Sequence, residues 1–213
     1  MDRHEANASR GVVDQGPKVS RTLIDLAEGE FAFHFFDANE GEACLAVTRG
    51  LDGPGPHTVR IHSACLFGES FGSLECDCRA QLDAALHEVR TQGGAILYMF
   101  QEGRGIGLAQ KIRAMQLQRK RHISTTAAFE VLGFGADPRR YDAAIAAMRS
   151  VGVSQQVRLI TNNPLKLLAV QEAGYEIVER VEPVLRLGRA TASFVKEKEL
   201  ALGHIAYRNI EVG

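Results

Sequence analysis

The sequence predicts a mixed α/β protein, an α+β single domain in which a mixed sheet is flanked by helices. Three observations predict it. The second half of the chain alternates β-branched runs with segments of helical period. The first half opens instead with strand-like runs separated by turn residues, the order expected when a sheet mixes strand directions. Hydrophobic residues make up 45% of the 213, enough to bury a core of domain size.

The elements follow in order. Residues 1–20 lack the apolar centre of an export signal and read as a polar, flexible N-terminal arm ahead of a domain spanning 21–213. Ala32–Phe36 and Ala43–Val47 read as strands, and Asp52-Gly53-Pro54-Gly55-Pro56 as a loop. His57–His62 is a third strand that delivers the chain to Cys65. Leu82, Ala85, Leu86 and Val89 recur at helical spacing, so a helix runs from about Arg79 to Gln92, where Gly93-Gly94 ends it. Ala95–Phe100 is a buried strand, followed by a glycine-rich segment and a helix over about Gly107–Arg119. Asp137-Pro138 reads as the cap and first residue of a helix reaching about Ser150. Val157–Thr161 is a strand, Asn163-Pro164 opens a helix that Gly174 ends, and Glu176–Val181 is another strand. Ser193–Leu202 is expected to form a last amphipathic helix.

Composition excludes some classes. A net charge of −1 gives no argument for nucleic acid or a membrane surface as partner. No apolar run approaches the ~20 residues that span a bilayer. The expected compartment is the cytoplasm, where thiols stay reduced, so the four cysteines are metal ligands or core fillers rather than disulfides.

Cys65, Cys76 and Cys78 carry the sharpest chemical signal. Three thiolates suit Zn²⁺, and three protein ligands leave a position for water, the pattern of a catalytic site. The alternative is three ordinary buried cysteines. Cys76 and Cys78, however, lie in Glu75-Cys76-Asp77-Cys78-Arg79, a polar stretch ill suited to a core, and their spacing points both side chains to one side of an extended chain. Cys44, in an apolar strand, reads as core.

The segment Gln101–Leu108 places Glu102 and Arg104 among Gly103, Gly105 and Gly107. Its spacing does not match a dinucleotide fingerprint, and a surface loop is the simple alternative. A carboxylate can nevertheless accept from a guanine edge and an arginine can pair with phosphate. Asp137-Pro138-Arg139 has a plain reading as a helix start. In Thr161-Asn162-Asn163-Pro164, Asn163 reads equally as an ordinary cap or as part of an anion site with Lys166.

Taken in order, these motifs resemble the GTP cyclohydrolase II family. The resemblance runs from about Arg60 to Val181 and includes Arg60-Ile61-His62-Ser63, Cys65, Phe71-Gly72-Ser73-Leu74, Cys76-Asp77-Cys78, Gln101–Leu108, Leu132-Gly133-Phe134, Asp137, Arg139, Thr161–Pro164 and Lys166. It implies the mixed α/β fold of that family, a homodimer, one Zn²⁺ per subunit on Cys65, Cys76 and Cys78, and Mg²⁺ with the substrate phosphates. The implied reaction is hydrolysis of GTP at C8 with release of pyrophosphate, and the implied pathway is riboflavin biosynthesis. Asp137 would be the proton acceptor and Arg139 the group acting at the α-phosphorus. A guanidinium stays protonated, so charge stabilisation suits Arg139 better than nucleophilic attack. Arg60, Ile61, His62, Ser63, Ala64, Gln81, Glu102, Gly103, Arg104, Met115, Thr125, Thr161 and Lys166 would form the GTP site.

The chain departs from the family pattern at three places. Met115 stands where a tyrosine is usual, Ala64 where a glutamate is usual, and Thr126-Ala127-Ala128-Phe129 replaces a stretch that carries a glutamate and an asparagine. A thioether neither donates a strong hydrogen bond nor transfers a proton. The expected product is therefore either the formate-free pyrimidinone ribosyl phosphate or, because of Met115, the formylamino compound that precedes it. Two further readings stay open: a catalytically weak GTP-binding paralogue, and an enzyme acting on another purine nucleotide. A zinc deaminase is disfavoured because its Pro-Cys-x-x-Cys signature is absent.

Overall fold

The computed structural model describes residues 19–37, 42–182, 184–187, 191, 203–206 and 209–212. Strands β1 (Val19–Leu26), β2 (Gly29–Phe36), β3 (Cys44–Arg49), β4 (His57–Ser63), β5 (Gly94–Met99), β6 (Gln156–Ile160) and β7 (Glu176–Val181) form one seven-stranded sheet in the order β1-β2-β3-β5-β4-β6-β7. The β1–β2, β2–β3 and β3–β5 pairs are antiparallel, while β5–β4, β4–β6 and β6–β7 are parallel. The sheet is thus mixed, with an antiparallel half and a parallel half joined at β5.

Among the described residues, helices α1 (Leu66–Glu69), α2 (Cys78–Gln92), α3 (Leu108–Arg121), α4 (Thr125–Val131), α5 (Asp142–Ser150) and α6 (Pro164–Glu172) accompany the sheet, with a small parallel pair of β8 (Leu185–Leu187) and β9 (Ile210–Val212). Helix α2 covers one face of the sheet: its Ala85 and Val89 pack with Phe31, Val47, Ile96, Ile160 and Val181. Helices α5 and α6 cover the other, where Ala144, Met148 and Val170 meet Val59, Ile61, Leu97, Val157 and Leu159. A strand covered on both faces need not alternate in polarity, and His57–His62 of β4 are buried without exception. Alternation survives in direction instead. Val59 and Ile61 enter the α5/α6 core, whereas Arg60 reaches across to α2, so His62, two residues on, shares that side.

Most expected elements are present, with three differences. Strand β1, not expected, begins at Val19. Helix α4, also not expected, packs Ala128 and Phe129 against Ala114 of α3. The helix expected from Asp137 opens at Asp142 instead, because the Asp137 carboxylate is engaged by Arg139 and does not cap. The expected Ser193–Leu202 helix and all of the expected arm except residues 19–20 lie outside the described residues. Cys44 is fully buried, as expected of a core residue, and burial pushes its thiol up to about 12.

Candidate active site

Three neighbouring parallel strands end at one place. β4 runs out into Cys65, β5 into the glycine-rich segment, and β6 into Thr161-Asn162-Asn163. The carboxyl ends of parallel strands are where open α/β sheets hold ligands. A pocket of about 520 Å³ opens there, lined among others by Arg60, Cys65, Cys76, Glu102, Arg139 and Lys166.

At one end, the sulfurs of Cys65, Cys76 and Cys78 lie within 4.8 Å of one another. Cys65 and Cys76 Sγ are 3.7 Å apart. Two thiolates on a tetrahedral zinc at ~2.3 Å stand about 3.8 Å apart, so the donor set and its spacing fit that ion. Gly68 makes the approach possible: a Cβ there would sit 2.5 Å from Cys76 Sγ and 3.4 Å from Cys65 Sγ. Sharing a proton with Cys76 and Cys78 holds the Cys65 thiol well below its usual value, and Lys111 adds to this. Lys111 Nζ lies 3.2 Å from Cys65 Sγ and donates to Glu102 Oε1 at 2.6 Å.

Glu102 sits at the root of the glycine-rich loop. Its Oε1 also accepts from the Gly103 N–H at 3.2 Å, and its Oε2 accepts from the Leu66 N–H at 2.7 Å. Three of the roughly four lone-pair sites of a carboxylate are filled in this way. One remains for a ligand, so accepting from both N–H groups of a guanine edge requires release of Lys111 or the Leu66 amide. Arg104 holds a left-handed backbone (φ 57°), stacks its guanidinium 5.4 Å from the Phe129 ring centre and donates to the Ala136 carbonyl.

At the other end, Arg139 and Asp137 form a bidentate pair. Arg139 Nε donates to Asp137 Oδ1 at 2.6 Å and Nη2 donates to Oδ2, with both side chains about nine-tenths buried. Burial works to raise the Asp137 carboxyl, but the Arg139 hydrogen bonds and charge outweigh it and hold the pKa below its usual 3.8. Arg139 Nη1 also reaches Ser63 Oγ at 3.4 Å. Lys166, although buried, lines the pocket and anchors its Nζ on the Ile61 carbonyl at 2.8 Å. Asn163 caps α6 through Leu165 N–H, as its plain reading expects.

Of the expected site residues, Arg60, His62, Ser63, Ala64, Gln81, Glu102, Gly103, Arg104, Met115, Thr125, Thr161 and Lys166 line this one pocket, with the three cysteines and Arg139. Two differ. The Ile61 side chain lies in the α5/α6 core, and only its carbonyl turns toward Lys166. Asp137 touches the pocket through Arg139 rather than lining it.

Sequence reasoning missed Lys111, Glu69 and Tyr98. Lys111 stands in the first turn of a helix that begins just past the glycines, and Glu69 stands four residues after Cys65, one helical turn away. Those spacings are visible in the chain. Nothing local marks Tyr98, whose partner Glu69 is 29 residues away.

Comparison with known proteins bears on this arrangement. The family model described as GTP cyclohydrolase II matches residues 17–182. The chain is 44% identical over 190 residues to a protein of Shewanella sediminis (strain HAW-EB3) named GTP cyclohydrolase-2, which covers 88% of this chain and 92% of that one. It is 46% identical over 190 residues to a protein of the same name from Shewanella piezotolerans (strain WP3 / JCM 13877), with the same two shares.

Proposed function

The chain belongs to the GTP cyclohydrolase II family, and we propose that it is a zinc-dependent enzyme that opens the guanine ring of GTP and releases pyrophosphate. The observation that carries this reading is the meeting, in one pocket, of three cysteine sulfurs with the Glu102 carboxylate and the cations Arg104, Arg139 and Lys166. Mg²⁺ accompanies the substrate phosphates, and the enzyme works as a cytoplasmic homodimer. The catalytic domain takes in the sheet from Val19 onward, so the arm expected over residues 1–20 ends before β1.

Cys65, Cys76 and Cys78 hold the metal, which supplies Lewis-acid activation of water at C8. One water is consumed there: the C8–N9 bond breaks, N9 takes a proton, and the formyl carbon stays on N7. A second water is consumed at the α-phosphorus, where the bond to the bridging oxygen breaks and pyrophosphate departs. The guanidinium of Arg139, pinned in the plane of Asp137, stabilises the charge that builds on the transferring phosphoryl group. Asp137 is a weak base while so paired. Its service as proton acceptor requires the phosphate to draw Arg139 away. Lys166 and Arg104 hold the phosphates, and the remaining lone pair of Glu102 takes one guanine N–H.

Removal of the formyl group needs a further hydrolysis, in which N7 leaves as an amine and must be protonated. Met115 lines this pocket and offers no proton. The product of this reading keeps the formyl group, as a formylamino-pyrimidinone ribosyl phosphate. The test is incubation of zinc-loaded protein with GTP, Mg²⁺ and a panel of purine nucleotides. Pyrophosphate from GTP in preference to the others supports the reading, and no turnover of GTP overturns it. Met115→Tyr is expected to raise the ratio of formate to pyrophosphate.

A further inference from the structure

Beneath the cysteine cluster lies a chain of hydrogen bonds that the catalytic reading does not use. It starts from Arg60, buried in the centre of the sheet. Arg60 Nε donates to His62 Nδ1 at 3.0 Å, and Arg60 Nη2 donates to Gln81 Oε1. A guanidinium is only ever a donor, which settles the direction of every later link. His62 Nδ1 must accept, so Nε2 carries the proton and donates to Glu69 Oε1 at 2.9 Å. Gln81 Oε1 must accept, so its Nε2 donates to Asp77 Oδ2. Burial lowers the pKa of His62 to about 4, in keeping with a neutral ring that accepts on one side and donates on the other.

Both branches end on carboxylates, and each carboxylate stands beside metal-ligand candidates. Glu69 grips Cys65 twice: its Oε1 accepts from the Cys65 N–H at 2.9 Å, and its own N–H donates to the Cys65 carbonyl at 2.9 Å. Tyr98 Oη donates to the second oxygen of Glu69 at 2.6 Å. Asp77 lies between Cys76 and Cys78 and is 1% exposed. Although it occupies the cap position of α2, its side chain makes no cap bond and turns to Gln81 instead.

We infer that Glu69, His62, Arg60, Gln81 and Asp77 act as one brace that joins the Cys65 segment to the Cys76–Cys78 segment and presets the spacing of the three sulfurs for metal. These are positioning residues, and the inference rests on the reading of the cysteines as a metal site. Partners of this kind behind metal ligands typically matter about 10- to 100-fold in affinity.

The test is zinc affinity of the full chain by competition with a chromophoric chelator, together with the thiolate charge-transfer bands of the Co²⁺ form. Glu69→Ala is expected to weaken zinc binding fivefold or more and to shift the Co²⁺ bands. Glu69→Gln keeps an oxygen for Cys65 N–H and His62 Nε2–H and is expected to stay within threefold of the parent. A double variant with Gln81→Ala is expected to lose less than the two single losses multiplied, because one brace cannot be cut twice. Should Glu69→Ala fail to fold, Gln81→Ala alone, which cuts the Arg60–Gln81–Asp77 branch, decides it: a loss of zinc affinity of fivefold or more supports the brace, and a change within twofold overturns it. Glu69→Ala within twofold of the parent, or losses that multiply fully, overturns the brace. A parent protein that takes up no zinc overturns the metal reading itself, a result distinct from either.

Discussion

The cysteine end and the arginine end of the pocket are held by different means. At the cysteine end, the sulfurs stand within 4.8 Å and are steadied from behind by a buried chain that runs through backbone and side chains of four segments. At the arginine end, Arg139 is steadied by a carboxylate only two residues away, on a stretch without regular structure. The first arrangement is preorganised by tertiary contacts and resists change. The second rests mainly on a local pair, with long contacts to Ser63 at 3.4 Å and Asn163 at 3.5 Å on other segments, and is breakable. A phosphate entering the site can compete with Asp137 for the guanidinium, since both offer two oxygens to the same fork of donors. The difference teaches that the cysteine end is built to stay as it is, whereas the arginine end is built to exchange partners.

Variants should separate the two ends. Cys76→Ser removes one of the three proposed ligands and is expected to abolish metal uptake and lower turnover about a thousandfold, in line with the several kcal/mol a Lewis acid supplies. Metal analysis beside steady-state kinetics checks this, and full turnover without metal would break the comparison. Arg139→Lys keeps the charge and loses the fork. It is expected to lower pyrophosphate release about a hundredfold while the zinc content stays that of the parent. A parallel loss of zinc would show that the two ends are not independent.

Gly68→Ala sharpens the claim that the cysteine end is tightly set. The added methyl meets Cys76 Sγ at 2.5 Å and must displace it, so zinc affinity is expected to fall about tenfold, the ~1–3 kcal/mol cost of overpacking. The smallest effect is at the arginine end. The Asp137 carboxyl has its pKa lowered in the folded chain, so the pair stabilises the fold above the unfolded pKa and stops doing so as pH falls through the folded value. Asp137→Asn is expected to cost about 1 kcal/mol at neutral pH. That gap should close as pH drops below the usual 3.8. Thermal melts across acidic pH read it directly.

Much of this was legible in the chain, for reasons that differ by element. β4, β5, β6 and α2 announced themselves because buried strands and an amphipathic helix concentrate apolar residues. β1 did not, because an edge strand paired on one side leaves Leu23 and Ile24 exposed at 54% and 40%, and its mixture of polar and apolar residues matches no period. Helix α4 is seven residues long, too short for a period to show. Asp137-Pro138 imitated a helix start because a capping aspartate and an aspartate paired with arginine look alike in sequence. The three cysteines were legible as a set because two of them, Cys76 and Cys78, stand in a polar stretch. The brace was not: Arg60 and His62 read as alternate positions of a strand, and their partners Gln81 and Glu69 lie on other segments that only the fold brings near.

The central claim is an enzyme that opens the guanine ring yet leaves the formyl group in place. GTP carrying a carbon label at C8, turned over by zinc-loaded protein with Mg²⁺, tests it most directly. The account predicts that pyrophosphate accumulates while the label stays on the pyrimidine nucleotide. Label released as formate in step with pyrophosphate would contradict it.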